Sequence, residues 1–356
     1  MKKVKKLTPL SKVIISVAVV LLAFGLISNA LFGPVDRGNK EDVIVTIKPG
    51  TSKNGIGNLL KEKKLIKSRL AFKGYVFIHP IKSLKAGSYV FNKNMGLKEI
   101  VRELESGSNY NPNLVVLTFK EGKRITDYAK LISSKTNTSY EDVLNVFKDR
   151  EYTKELIKKY WFLTDKVLDP NIYYPLEGYL YPETYHFDDK DVEVKEIIET
   201  MLDEMDKNLD KYKDKMKSDP HYYISMASIV ELEGTNTENR KMIVGIFKNR
   251  LKSGYNMGSD VTTYYAFQKP MDKDLTSAEF LKDNPYNTRA VSMIGKMPIG
   301  PICSNSLSSI EASVNPTNND YLFFVADKHG KIYYTKTNAE HDKKVKEIKD
   351  RGDWIW

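Results

Sequence analysis

Cysteine is all but missing from this chain of 356 residues: Cys303 is the single one. One thiol excludes an internal disulfide and a multi-cysteine zinc site. Cys303 reads as a small, semi-buried apolar residue, because a nucleophile would need a His or Asn partner that is not evident around it. Histidine is scarce as well. His79, His186, His221, His329 and His341 are scattered, with no H-E-x-x-H or comparable ligand pair, so no metal site and no cofactor is expected. A basic stripe with interleaved aromatics is also lacking, which argues against a nucleic-acid groove despite a formal charge of +10. Half of that charge is local: Lys2, Lys3, Lys5, Lys6 and Lys12 supply five units in the first twelve residues, with no acid among them.

Against these absences stands ample material for packed cores, with 41% hydrophobic and 11% aromatic residues. The length predicts two or three domains rather than one. Val13 to Phe32 carries no charge at all. A helix of that length spans about 30 Å, the thickness of a bilayer's hydrocarbon core. The basic tail precedes it and Asp36 follows, so a single-pass anchor with the tail in the cytoplasm and the remainder outside is expected. Ser28-Asn29-Ala30 leaves cleavage of a signal peptide as the alternative.

Beyond a linker at 34–42, the pattern is strand, turn, helix. Val43, Val45 and Ile47 alternate before Pro49-Gly50, and Ile56, Leu59, Leu60 and Leu65 follow with helical spacing. Ser88 to Phe91 reads as a second strand. Leu97, Ile100, Val101 and Leu104 form one helical stripe that Gly107 ends, and Leu114 to Phe119 reads as a third strand. Residues 43–120 are therefore expected to form a small α+β module. From 121 onward the chain is mostly helical and charged, interrupted by a loop rich in tyrosine and proline around Leu176 to Tyr185 that holds Glu177 and Glu183.

Asp219-Pro220 opens a helix as N-cap and first residue, and HYYISMASIVELE runs on to Gly234, a natural C′ residue of the kind that takes a left-handed conformation. Thr235 and Glu238 are spaced as a capping box for the next helix, which runs to about Lys252. The first helix is apolar on nearly every face and should be buried. Glu231 lies four residues after Ala227 and seven after Ile224, on their face. A carboxyl there should have a raised pKa, which suits a general acid. A partnership with Arg240, Lys241 or Arg250 explains the same placement, and from the residues alone both readings stand. Glu233 points roughly 200° away, so the two cannot form a co-facial pair.

Ala227-Ser-Ile-Val-Glu231 resembles the active-site helix of the endolytic murein transglycosylase (YceG-like) family. Further segments follow in that family's order: Asn249-Arg-Leu251, Ser259-Asp260 with Thr262, Tyr286-Asn-Thr288, Pro298-Ile-Gly-Pro-Ile302, Ala312 to Pro316, Tyr321 to Asp327, and Thr337 with Glu340-His341. Upstream, Lys85-Ala-Gly-Ser-Tyr89 and Leu176-Glu-Gly-Tyr-Leu180 are similar too. Two departures stand out: Ser304-Asn305-Ser306 where the family often has Asn-Pro-Gly, and Asp260-Val261-Thr262 where Asp-Pro-Thr is common. The resemblance implies a LysM-like module over 43–120 and a catalytic domain over 121–356. It implies cleavage of the β-1,4 bond between N-acetylmuramic acid and N-acetylglucosamine, with Glu231 as the catalytic acid. Glu233, Asp260, Thr262, Tyr286, Asn287, Thr288 and Gly300 are the expected substrate contacts, Asn287 and Thr288 toward an acetamido group. Peptidoglycan glycan strands and a lipid bilayer are the expected partners, with the cell-wall synthesis machinery a further one. A hydrolytic muramidase and a non-enzymatic wall-binding scaffold are the competing functions.

Overall fold

The computed structural model describes residues 29–79, 81, 83–107 and 114–354. It is a mixed α+β protein, mostly helical with small two-stranded sheets. The expected membrane span falls largely on residues 13–28, outside the described residues. Its last part, 29–32, is helical, and no described helix is long and apolar enough to cross a membrane.

The chain divides into two compact units. The first comprises the described residues up to Val115, together with 186–190. Its strands β1 (Asp42–Ile47) and β2 (Gly87–Asn92) are antiparallel, with Asp42 opposite Asn92 and Ile47 opposite Gly87. Between them run α1 (Lys53–Glu62) and α2 (Arg69–Ile78), and α3 (Leu97–Ser106) follows β2. The alternation in β1 turns Val45 and Ile47 inward, where they meet Ile56 and Leu60 of α1, Phe72 of α2, Phe91 of β2, and Ile100 and Leu104 of α3. Gly107 ends α3 at φ 71°, a left-handed position that glycine takes without strain. The third expected strand, β3 (Val115–Thr118), does not join β1 and β2. It pairs with β4 (Thr184–Phe187), a strand of four residues at the end of the tyrosine- and proline-rich loop.

The second unit comprises 116–185 and 191–356. Its first helices are α4 (Ile125–Lys135), α5 (Tyr140–Lys148) and α6 (Arg150–Lys159), followed after β4 by α7 (Val194–Leu209). The centre is α8 (Pro220–Glu233), in which His221 and every residue from Ile224 to Val230 are buried. Asp219 caps it by accepting from the Tyr222 N–H at 3.2 Å. Against α8 pack α9 (Thr237–Lys252), α10 (Asp260–Ala266) and, beyond the short α11 (Ser277–Leu281), α12 (Leu307–Val314). The hairpin β5 (Phe323–Ala326) with β6 (Ile332–Thr335) and then α13 (Asn338–Asp350) complete the unit.

Two local expectations are corrected. Gly234 is not a left-handed cap, since its φ is −105°. Glycine is needed there because a Cβ would stand 2.5 Å from the Arg240 Cγ. The N-cap of α9 is Asn236, whose side chain accepts from the Asn239 N–H at 2.9 Å, rather than Thr235 in a capping box with Glu238.

Candidate active site

Both acidic residues at the end of α8 leave the helix near its last turn, but toward different neighbours. Glu231 points to the N-terminus of α12. Its Oε2 accepts from the Ser306 N–H at 2.9 Å, from the Ser306 hydroxyl at 2.6 Å and from the Ser309 hydroxyl. Its Oε1 accepts from the Arg240 guanidinium at 2.8 Å. The pair is enclosed, with side-chain exposures of 7% for Glu231 and 14% for Arg240. A carboxylate at the start of a helix, satisfying its free N–H and pairing with a cation, is a stable structural arrangement. Arg240 also donates to the hydroxyls of Ser306 and Ser308. The segment that departs from the family's Asn-Pro-Gly thus ends in the serine that holds Glu231.

Glu233 turns to the other side, toward the start of α10. Its Oε1 accepts from the Ser259 hydroxyl at 2.6 Å. Its Oε2 has no hydrogen bond among the described residues and is not sealed from solvent. Burial of the carboxyl lifts its pKa to about 7. Ser259 pulls it down, the negative charge of Asp260 adds to the rise, and the positive charge of Arg289 opposes it. Asp260 and Arg289 form an ion pair whose side chains are 47% and 41% exposed. A half-buried carboxyl that holds its proton near neutrality, close enough to the Asp260–Arg289 ion pair to feel its charges, is a group that can donate a proton and later take one back.

The remaining expected contacts are underpinnings of this corner rather than exposed groups. Asn287 is fully buried. Its amide nitrogen donates to the carbonyl oxygens of Glu279, Phe280 and Lys282, and its Oδ1 accepts from the Thr263 hydroxyl at 2.7 Å. Thr288 is equally buried: its hydroxyl accepts from the Ser259 N–H and pairs with the Thr262 hydroxyl at 2.8 Å. Thr262 is buried as well and donates to the Ser259 carbonyl. Thr288 therefore ties its loop to Ser259, Asn287 ties it to Thr263 and the 279–282 segment, and in this conformation neither has a free polar atom to offer a sugar. Tyr286 is buried among Tyr173 and Tyr265. Gly300 is buried where a Cβ would come within 3.4 Å of the Tyr286 hydroxyl and of Ile172. Of the expected contacts, Glu233, which is half-buried, and Asp260, whose side chain is exposed, are the two that are not enclosed.

Sequence reasoning passed over Arg289, whose only signal was its place directly after Tyr286-Asn-Thr288. Glu177 is another buried acid in this unit. It accepts from the Ile125 N–H and the Tyr265 hydroxyl, both at 3.0 Å, and burial lifts its pKa to about 8. Its 2% exposure makes it part of the core. Cys303 is buried, its thiol donates to the Ser228 carbonyl at 3.2 Å, and burial holds its pKa well above the usual thiol value. Among the described residues no cluster of His, Cys, Asp and Glu is arranged to hold a metal ion.

Comparison with known proteins places this geometry in a family. A model described as the YceG-like family matches residues 45–347. The endolytic murein transglycosylase of Bacillus subtilis (strain 168) is 35% identical over 333 residues, covering 92% of this chain and 91% of that protein. The protein of the same name from Streptococcus pneumoniae serotype 2 is 34% identical over 333 residues, covering 88% of this chain and 60% of that longer protein. A crystal structure of a yceG-like protein from Listeria monocytogenes matches with a TM-score of 0.61 and 35% identity, covering 85% of this chain and 99% of that one. A match over most of the chain by family, sequence and structure alike means that this protein belongs to the YceG-like family.

Proposed function

We propose that this protein is a peptidoglycan lytic transglycosylase that cuts inside glycan strands, and that its general acid is Glu233 rather than Glu231. The relatives' activity supports the reaction class. The observation that carries the residue assignment is the contrast between the two carboxyls. Glu231 accepts four hydrogen bonds inside the protein, whereas Glu233 accepts one and its other oxygen has no partner among the described residues.

The chemistry needs one group that acts twice. Protonated Glu233 gives its proton to the glycosidic oxygen as the bond to C1 of the muramic residue breaks. The resulting carboxylate then removes the proton from that residue's C6 hydroxyl, whose oxygen bonds to C1. Glu233 ends protonated, the strand ends in a 1,6-anhydro sugar, and no water is consumed. Attack from within the same sugar has a high effective concentration, which favours this route over bimolecular hydrolysis.

Asp260 supports a second reading, because a hydrolytic muramidase needs two carboxyls and Asp260 lies close enough for its charge to act on Glu233. Digestion of purified, uncrosslinked glycan strands separates the two. The proposal expects new ends about 18 Da lighter than hydrolytic ends, since no water is added, and no label from water enriched in heavy oxygen. Glu233→Gln should abolish cleavage while the protein still folds. Heavy oxygen at C1 would establish the muramidase, and cleavage by Glu233→Gln at the wild-type rate would return the acid to Glu231.

We further propose that residues 13–33 anchor the chain in the cell membrane as a single pass with the basic tail inside, and that the 43–120 region serves as a LysM-like module. The uncharged run of Val13 to Phe32 and the order β1, α1, α2, β2 support these readings.

A further inference from the structure

Among the described residues, one face of helix α2 has no partner. Ala71, Phe72 and Val76 are buried in the core of the first unit. On the other side Leu70 is 81% exposed, Phe77 89% and Ile78 76%. At 100° per residue, seven positions return nearly to the same bearing and eight lie about 80° on, so the three side chains share a face. Lys73 and Gly74 fall on the same face, and Lys73 is exposed. Single exposed apolar residues are ordinary on a soluble surface. Three large ones on a ten-residue helix that carries Arg69 and Lys73 and no acid are a different pattern. An apolar face flanked by cations is what lets a helix lie in the interface of an anionic bilayer.

A second observation concerns where the chain enters this unit. Phe32, the last residue of the uncharged run, packs against the core of the first unit and sets its ring 6.1 Å from that of Tyr75, on α2 itself. Three residues earlier, the Asn29 carbonyl accepts from the Lys67 ammonium at 3.2 Å, just before α2 begins. The Asn29 side chain accepts from Arg37 at 2.7 Å. The end of the uncharged run is thus fastened to α2, a helix whose free face is apolar and basic.

We propose that α2 docks on the bilayer surface from which the run 13–32 emerges, with Leu70, Phe77 and Ile78 among the acyl chains and Arg69 and Lys73 at anionic lipid headgroups. This rests on the reading of residues 13–33 as a membrane anchor. A glycan is the competing occupant, because a groove of about 370 Å³ lined by Lys53, Asn54, Phe72, Lys73 and Phe77 adjoins the same face.

Gly74 gives a place to look, since a side chain added there meets nothing within 4 Å. The full chain, carrying an environment-sensitive fluorophore on Gly74→Cys, is incorporated into nanodiscs of phosphatidylcholine with an anionic share of phosphatidylglycerol. Cys303 is buried and does not compete for the label. The proposal expects blue-shifted emission, quenching by nitroxide lipids, and several-fold weaker quenching by iodide than at a label on the exposed Lys98→Cys of α3. Combining Leu70→Ser, Phe77→Ser and Ile78→Ser should return the Gly74→Cys label to water while the protein stays in the discs. A label at position 74 as open to iodide as that at 98, in protein that co-purifies with discs, overturns the docking and leaves the anchor standing. A full chain that does not co-purify with discs removes the anchor and the docking together. Shielding of the label by soluble N-acetylglucosamine oligomers, with none by lipid, assigns the face to glycan instead.

Discussion

At Glu231 the cost of losing the charge falls on Arg240. Glu231→Gln keeps the shape of the side chain but leaves a guanidinium that is 14% exposed without its anion. Breaking a buried pair in this way costs on the order of 3 kcal/mol. At roughly 2–4 °C per kcal/mol for a domain of this size, the melting temperature should fall by about 6–12 °C. A Glu231→Gln protein that melts like the wild type yet cuts no glycan would contradict the structural role given to this residue. Glu233 makes the complementary prediction, in the pH profile. A general acid works while protonated, and burial holds this carboxyl's pKa near 7. The kcat/KM for strand cleavage should therefore fall as pH rises through about 7. A profile flat from pH 6 to 8 would mean that another group supplies the proton. The sequence carried half of this contrast. The spacing from Ile224 and Ala227 placed Glu231 on a buried face, and the 200° separation placed Glu233 elsewhere. What fills each side was not legible, because Ser306 and Ser309 lie more than seventy residues downstream and only folding brings the N-terminus of α12 onto Glu231.

Elements were most legible where local chemistry and long-range packing agree. Helix α8 starts at Pro220 after Asp219 and stops before Gly234, as its capping residues imply. Helix α2 went unread, since Leu70, Phe77 and Ile78 put large apolar residues on its outer face and blur the periodicity of its inner one. Strand β4 was hidden for another reason: it has four residues, and its partner β3 lies far upstream, as the contact of Thr118 with Thr184 illustrates. The loop between α6 and β4 carries a titration that can be tested. Glu177 has a folded pKa of about 8, raised by burial above its unfolded value. A group raised in this way contributes stability that is full below the unfolded pKa and is lost as pH rises through the folded one, by up to about 1.4 kcal/mol per pH unit. His221 and His341 are shifted down by burial, so they act in the opposite sense, and only as pH falls below their unfolded value near 6.5. Between pH 7 and 8 the carboxyl acts without them. Stability measured by denaturant unfolding should decline across that window in the wild type and decline less in Glu177→Gln. Equal slopes in the two proteins would show that Glu177 is already ionised in the folded state.

At the scale of the whole molecule the most informative feature is an asymmetry of charge. Five of the ten net positive charges sit in the first twelve residues, ahead of twenty residues with none, and Asp36 is the first acid in the chain. Lysines near the end of a span resist transfer across a membrane far more than acids do, so the tail should stay in the cytoplasm and both compact units should face the wall. That orientation is also what the proposed reaction requires, since its substrate lies outside the membrane. The order of short motifs from Lys85 to His341 made the family legible, but it says nothing about which side of a membrane the chain occupies. The orientation is tested on intact protoplasts. Protease added from outside should degrade the region beyond residue 35 and leave a small membrane-bound fragment containing the basic tail, detectable through an epitope placed at the N-terminus. Survival of the two units in intact protoplasts, with loss only after lysis, would reverse the topology and exclude direct access to glycan. Release of the protein into the medium with a mature N-terminus at Leu31 would instead identify Ser28-Asn29-Ala30 as a cleavage site. It would also remove the anchor on which the proposed docking of α2 rests.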